Sequence, residues 1–517
     1  MDLSTVLRWT AERHPRRRAV GGRTPMTYGQ WDGHTNQLAR AMAELGVRPR
    51  ERVVLLSTGG EPLASLHLAA QKLGAVSVPL SFRLGPSELA YCISDAEPAL
   101  VIADDSTSAL AQEALASVEA VPWIRSGDPA EATIERLARD QPDGPLDVRV
   151  SERDISVMLY TSGTTGRPKG VPRTHSAEFH ASVAHLLQSG QSLFDTTLGV
   201  MPLFHTMGLR TLIATVVAAG TWVPQTKFDA EEMLDLIAQE EISSLYLVPT
   251  VYWSLLRTGR LGEATSVRKL AYAGASMTPT LVKRLVDTLR PESFVNHFGS
   301  TEIYTFTVGT DVIAKPGCAG RAGVFSRVRL VEPFPDAPPD AEVAPGEQGQ
   351  IAVSMGNPDA FAGYWHRPDA NTKSIRGGWY FPGDLAVADE DGDLWVTGRV
   401  DDMINSGGEN IYPDEIEDKL IGCPVISEVV VVGLPDDRWG QAATAFFVPE
   451  SGTTPDHALT ELRSYVREGS GLPSLKRPKR LIAVEEIPKS GAGKILRRRL
   501  SSGDYRSLAD SDTATDR

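Results

Sequence analysis

Cysteine is scarce. Cys92, Cys318 and Cys423 are all the chain carries, and they stand far apart. That spacing excludes a disulfide framework and a cysteine-based zinc centre, and it suits a reducing compartment. Long apolar runs are missing too. The longest, Thr211–Val223, is too short to span a bilayer, and the opening MDLSTVLRWTAERHPRRR has an early Asp2 and no apolar segment of the kind a secretory signal needs. The expectation is a cytoplasmic protein with no membrane partner. Positive charge is in deficit, with a formal net charge of −14, which disfavours nonspecific binding to nucleic acid. The basic residues are unevenly placed, however. Nine Lys or Arg fall between Lys476 and Arg499 against Glu485 and Glu486, a local excess that points to an anionic ligand.

What is present is core material and glycine-rich turns. The chain has 517 residues, of which 41% are hydrophobic, so two or more structural units are expected. The densest stretch is Tyr160–Val171, YTSGTTGRPKGV, which follows a short apolar strand at Ile155–Tyr160. Gly163 and Gly166 let the backbone approach an anion and turn peptide N–H groups toward it. Thr161, Ser162, Thr164 and Thr165 add hydroxyl donors, and Lys169 adds a charge. A Walker A loop needs Gly-Lys-Ser/Thr; here Pro168 precedes Lys169 and Gly170 follows it.

Residues 1–150 alternate helix and strand patterns: helices at Leu3–Arg13, Tyr28–Leu45 and Ser65–Leu73, and strands at Arg52–Ser57 and Val76–Leu80. That is the rhythm of an α/β protein with parallel strands. Asp229–Gln239 opens with a capping-box pattern and leads into a strand at Ser244–Val248. Val267–Met277 and Phe294–Glu302 each run from a strand into a Gly-containing polar turn, and in parallel sheets such turns collect ligands. Gly398–Glu417 is the second dense stretch. Its paired glycines suit a hinge, and beyond it lies a compact α+β unit ending in IPKSGAGKIL, which presents Lys494 on a glycine-rich loop. The predicted organisation is a large N-terminal α/β domain with parallel sheets and a small barrel-like β part over 1–398, a hinge at 399–402, a small mobile α+β domain over 403–500 and a disordered tail over 501–517.

Seven stretches, YTSGTTGRPKGV, MPLFHTMGL, YAGASM, NHFGSTE, YFPGDLA, GRVDDMINSGGENIYPDEIE and PKSGAGK, run in order from residue 160 to 494. In this they resemble the adenylate-forming superfamily of acyl-CoA synthetases, adenylation domains and luciferases. DDRWGQ, LKRPKR and SGGENIYP look most like bacterial aryl-CoA ligases of the benzoate and chlorobenzoate kind. The resemblance implies a two-step reaction: a carboxylate attacks the α-phosphate of MgATP, pyrophosphate leaves, and a thiol then displaces AMP from the acyl-adenylate. It implies catalytic roles for Lys494, which bridges carboxylate and phosphate, for Glu302 as the Mg²⁺ ligand, and for His205 near the reacting carbonyl. It places the nucleotide on Thr161–Gly166, Lys169, Gly274, Ala275, Ser276, His297, Phe298, Gly299 and Thr301, with Asp384 and Arg399 on the ribose and phosphate. Asp401 is implied as the pivot, and Gly407, Gly408, Arg477 and Lys479 as the coenzyme A contacts. Acyl-pocket candidates are His205, Met207, Thr250, Val251, Gly274 and Ile303. The partners implied are a small carboxylic acid and coenzyme A, with two alternatives left open: a carrier-protein thiol or partner enzyme as acceptor, and a polycyclic acid as substrate. A homodimer is compatible with the resemblance.

Overall fold

The computed structural model describes residues 1–128, 130–161, 167–406, 409–436, 438–489 and 495–508. It divides into two compact units. One comprises Met1–Val328, Val353–Tyr380 and Asp391–Leu394; the other comprises Arg329–Ala352, Phe381–Glu390 and Trp395–Arg517.

The first unit is built on two sheets. Strands such as Arg52–Leu56 (RVVLL) and Val76–Leu80 (VSVPL) are apolar almost throughout and buried along their length, as strands covered on both faces must be. They pair in parallel, flanked on one side by Leu100–Asp104 and Trp123–Ser126. On the other side lies Ile155–Thr161, which folds back antiparallel on Lys169–Thr174. The second sheet has nine strands. Its centre, Thr221–Pro224, Thr196–Gly199, Ser244–Leu247, Lys269–Tyr272 and Ser293–Phe298, is parallel, and Ser293–Phe298 then pairs antiparallel with Thr307–Gly309.

The helices follow from local signals. Thr27 and Gln30 form a reciprocal capping box that starts Tyr28–Glu44. Asp229 accepts the amide of Glu232 at 2.9 Å to start Ala230–Gln239. The predicted helix at Ser65–Leu73 begins earlier, as Gly60–Lys72, because Pro62 sits in the first turn, where its missing N–H costs nothing. The return strand Lys169–Thr174 departs most from its sequence pattern. It holds Lys169, Pro172 and Arg173, and only its pairing with an apolar neighbour makes it a strand.

In the second unit, Ile426–Asp436 and Gly440–Pro449 form a long antiparallel pair, and Arg480–Ala483 joins the latter in parallel. Helices Pro413–Leu420 and Pro455–Ser464 pack over an apolar cluster that includes Ile416, Val431, Phe447 and Leu462. Among the described residues, no helix is long and apolar enough to cross a membrane.

Candidate active site

The hairpin sets Lys169 opposite Thr161 and Gly170 opposite Tyr160, so the glycine-rich stretch is the connection between two paired strands. A third segment is laced onto it. Trp365 N donates to Gly170 O at 2.9 Å, Ala362 N to Pro172 O at 3.2 Å, and Phe361 N to Glu302 O at 2.9 Å. These bonds bring Tyr364 between the two charged groups that the sequence singles out. The Tyr364 hydroxyl donates to Glu302 Oε1 at 2.6 Å, and the Lys169 ammonium lies 4.1 Å from the centroid of the Tyr364 ring. Burial pushes the Lys169 pKa below its ordinary value, and the Glu302 carboxylate opposes that shift. Burial and Glu302 push the Tyr364 phenol upward, so it stays a donor at neutral pH.

Glu302 is buried, yet among the described residues it has no ion-pair partner. A buried carboxylate aimed by one hydroxyl, with Lys169 near it but no direct ion pair among the described residues, suits a hard divalent ion. Tyr364→Phe is therefore expected to lower kcat/KM for acid-dependent ATP–pyrophosphate exchange by about 10- to 100-fold, in line with the ~1.5–3 kcal/mol of a hydrogen bond to a charged group. The apparent Mg²⁺ requirement should rise with it. An unchanged Mg²⁺ titration would remove Tyr364 from this role.

Sequence reasoning missed the residue that holds Glu302 in place. Arg173, in the return strand, is fully buried; it pairs with Glu178 and lies 3.6 Å over the Tyr304 ring. It also donates to the backbone oxygens of Glu302 at 3.0 Å and Thr301 at 3.4 Å. The available signal was a lone arginine in GVPRT, directly after the glycine-rich stretch.

The turns at the carboxyl ends of the central strands form the neighbouring rim. Gly274, Ala275 and Ser276 are exposed directly beyond the strand Lys269–Tyr272, with Gly274 at φ +87°. Phe298 and Thr301 are half-buried, and Phe298 meets Phe306 edge-on at 5.4 Å. Gly299 is required by packing: a Cβ there would stand 2.3 Å from Tyr304 O. His297 points the other way and is buried between His185 and Tyr246, at 5.2 and 5.4 Å between ring centroids.

Of the acyl-pocket candidates, Met207 is brought into one apolar group with Tyr246, Ala271, Ala273, Val295 and Val308, and Val248 lies at its edge. Gly274 joins that edge, its α-carbon facing Val248. Thr250 and Val251 follow Val248 in the first turn of the helix Pro249–Arg257, Thr250 exposed and Val251 half-buried. His205 caps the helix Thr206–Val217, its Nδ1 accepting Met207 N at 3.4 Å. Burial, with Arg210 adding to it, pushes His205 down to about 4, so it is neutral at physiological pH. Ile303 is buried in a bridge with Ala360, apart from the Met207 group.

In the second unit Asp384 and Arg399 are brought together as an ion pair, and Arg399 also donates to Pro382 O at 2.8 Å. Asp401 lies in a single 3₁₀ turn, Val400–Asp402, its backbone alone described. Arg477 donates to Leu472 O at 3.1 Å and Lys479 to Ser474 O at 3.2 Å. Ser162, Gly163, Thr164, Thr165, Gly166, Gly407, Gly408 and Lys494 lie outside the described residues.

The family described as AMP-binding enzyme matches residues 7–365, and its C-terminal domain matches residues 415–494. The chain belongs to the AMP-binding enzyme family. It is similar to a feruloyl-CoA synthase of an Amycolatopsis species, 35% identical over 494 residues and 94% of each chain. It is also similar to a long-chain-fatty-acid–CoA ligase of Mycobacterium tuberculosis, 31% identical over 477 residues, 91% of this chain and 92% of that one. Among solved structures, an anthranilate CoA ligase in complex with anthranoyl-AMP superposes with a TM-score of 0.86 at 25% identity over 97% of both chains. Within the family the chain is an AMP-forming acid–thiol ligase, an enzyme of ATP, Mg²⁺ and coenzyme A.

Proposed function

We propose that the chain activates an aromatic or other bulky hydrophobic carboxylic acid as its adenylate and transfers the acyl group to coenzyme A. The observation that carries this reading is the apolar group in which Ala271 and Ala273, flanked by Met207, Val248 and Val295, run up to the exposed turn at Gly274. Small residues in the middle of such a group leave width for a ring, and apolar neighbours favour its burial.

The roles assigned from sequence complete the proposal. Lys169 and the hydroxyls of the glycine-rich loop hold phosphates, and Asp384 takes the ribose hydroxyls with Arg399 beside it. Glu302 would hold Mg²⁺, which when bound offsets charge on the triphosphate. Lys494 draws the two anions of the first step together. Rotation about Asp401 then exchanges the Lys494 loop for the Gly407–Gly408 face. Side chains missing there leave room for a pantetheine arm, with Arg477 and Lys479 meeting the phosphates of coenzyme A. We place the enzyme in the cytoplasm. A carrier-protein thiol as acceptor and a homodimeric state belong to the same reading as alternatives to be tested.

ATP–pyrophosphate exchange across aryl, straight-chain and polycyclic acids tests the substrate class. Exchange strongest with aryl acids supports it. Exchange confined to straight-chain acids would contradict it.

A further inference from the structure

The apolar group described above ends on a polar floor. Register sets Tyr246, Ala271 and Val295 side by side on the sheet, and strand alternation carries Val248, Ala273 and His297 onto the same face two residues on. The two alanines therefore form a trough between a Tyr246–Val248 ridge and a Val295–His297 ridge. The Tyr246 and His297 rings meet across it, 5.4 Å apart. Behind them stand His185, its ring 4.7 Å from Tyr246 and 5.2 Å from His297, and Arg210, which donates to the Tyr246 hydroxyl. Relative exposures are 1% for Tyr246 and Arg210, 0% for His185 and 2% for His297.

This cluster holds hydrogen-bonding capacity that the described residues do not use. Neither ring nitrogen of His297 has a partner, nor does Nδ1 of His185 or Nε of Arg210. Buried polar groups are almost always paired, so several unpaired together beside an apolar trough point to a polar group that arrives with the ligand. The other bonds of Arg210 go to neutral acceptors, Thr305 Oγ1 at 2.6 Å and Tyr304 O at 3.3 Å. Charge decides what kind of group fits. The buried guanidiniums Arg173 and Arg210 already share their surroundings with the buried carboxyls Glu178 and Asp359, and Glu302 is buried next to Arg173, so a second anionic end on the ligand would add uncompensated negative charge to the core. A neutral oxygen does not. Because neither His297 nitrogen is held, its ring turns toward an incoming oxygen without breaking a hydrogen bond.

We propose that Tyr246, His185, His297 and Arg210 form the specificity floor of the acyl pocket, and that the substrate is an aryl acid bearing a neutral oxygen substituent, such as a phenolic hydroxyl, at the end away from its carboxylate. This rests on the aryl-acid reading above. The test compares kcat/KM for ATP–pyrophosphate exchange with matched acids, 4-hydroxybenzoate against 4-methylbenzoate and 4-hydroxycinnamate against 4-methylcinnamate. The wild-type enzyme is expected to favour the hydroxylated member of at least one pair by 10-fold or more, because a site built to bond a hydroxyl rejects the analogue lacking it. In His297→Leu that ratio should fall to near one, and His297→Gln should restore part of it. Tyr246→Phe, which keeps the ring, provides the same readout should His297→Leu fail to fold. A wild-type ratio of one or below, or equal loss on both members of a pair in these variants, overturns the specificity floor alone. Exchange with straight-chain acids only would overturn the aryl reading and the floor together.

Discussion

Replacing Lys494 with alanine is expected to reduce acid-dependent pyrophosphate release by about 10²–10³-fold while thioester formation from supplied acyl-adenylate stays near the wild-type rate. The first step joins two anions, a carboxylate and the α-phosphate of ATP. A cation between them lowers the barrier because it binds the charge that accumulates at the reacting oxygens more tightly than it binds the separated reactants. In the second step a thiol attacks the uncharged carbonyl carbon of the acyl-adenylate, and the carboxylate no longer has to be drawn to a phosphate. Lys494 stands in the segment SGAGK, with a glycine on each side of Ala492. Assaying each half-reaction separately checks the assignment, and equal loss in both would contradict it.

The largest stability effect is expected at Arg173. Substitution by methionine removes the partner of Glu178, a carboxylate with 1% exposure, and leaves it charged in the core of the first unit. Breaking a buried pair from one side costs about 3–5 kcal/mol. Urea denaturation should register that loss, and the double variant Arg173→Met/Glu178→Gln should recover part of it, since the stranded charge is then gone. The single variant should also lose adenylation more than its remaining folded fraction explains, because the Arg173 guanidinium bonds the backbone oxygens of Thr301 and Glu302. Stability within about 1 kcal/mol of wild type would show that the pair is worth no more than a surface one.

These two residues mark how far the sequence can be read. Lys494 and Glu302 sit in short patterned segments whose residue types alone suggest charge chemistry, and the alternation of apolar strands with helices gave the parallel α/β architecture. Arg173, Arg210 and Tyr364 were not legible. Each acts through partners distant in sequence: Arg173 through the backbone at Thr301 and Glu302, Arg210 through Tyr246 and Thr305, Tyr364 through Glu302. His297 could be seen as part of NHFGSTE, but its direction could not. Only the strand register shows that it turns into the sheet face with Tyr246, while its neighbour Phe298 is half-buried. The return strand at Lys169–Thr174 was hidden for a related reason, since its pairing with Ile155–Thr161 outweighs a composition with Pro172 and two cations.

The proposed reaction joins an aryl acid to coenzyme A with formation of AMP. Its most direct test is the product stoichiometry of one reaction containing an active aryl acid, MgATP and coenzyme A, with nucleotides separated by chromatography and the thioester identified by mass. One AMP and one pyrophosphate are expected for each acyl-CoA, with no ADP. Acyl-adenylate that accumulates unmoved by coenzyme A, or ADP in place of AMP, would contradict the proposed reaction.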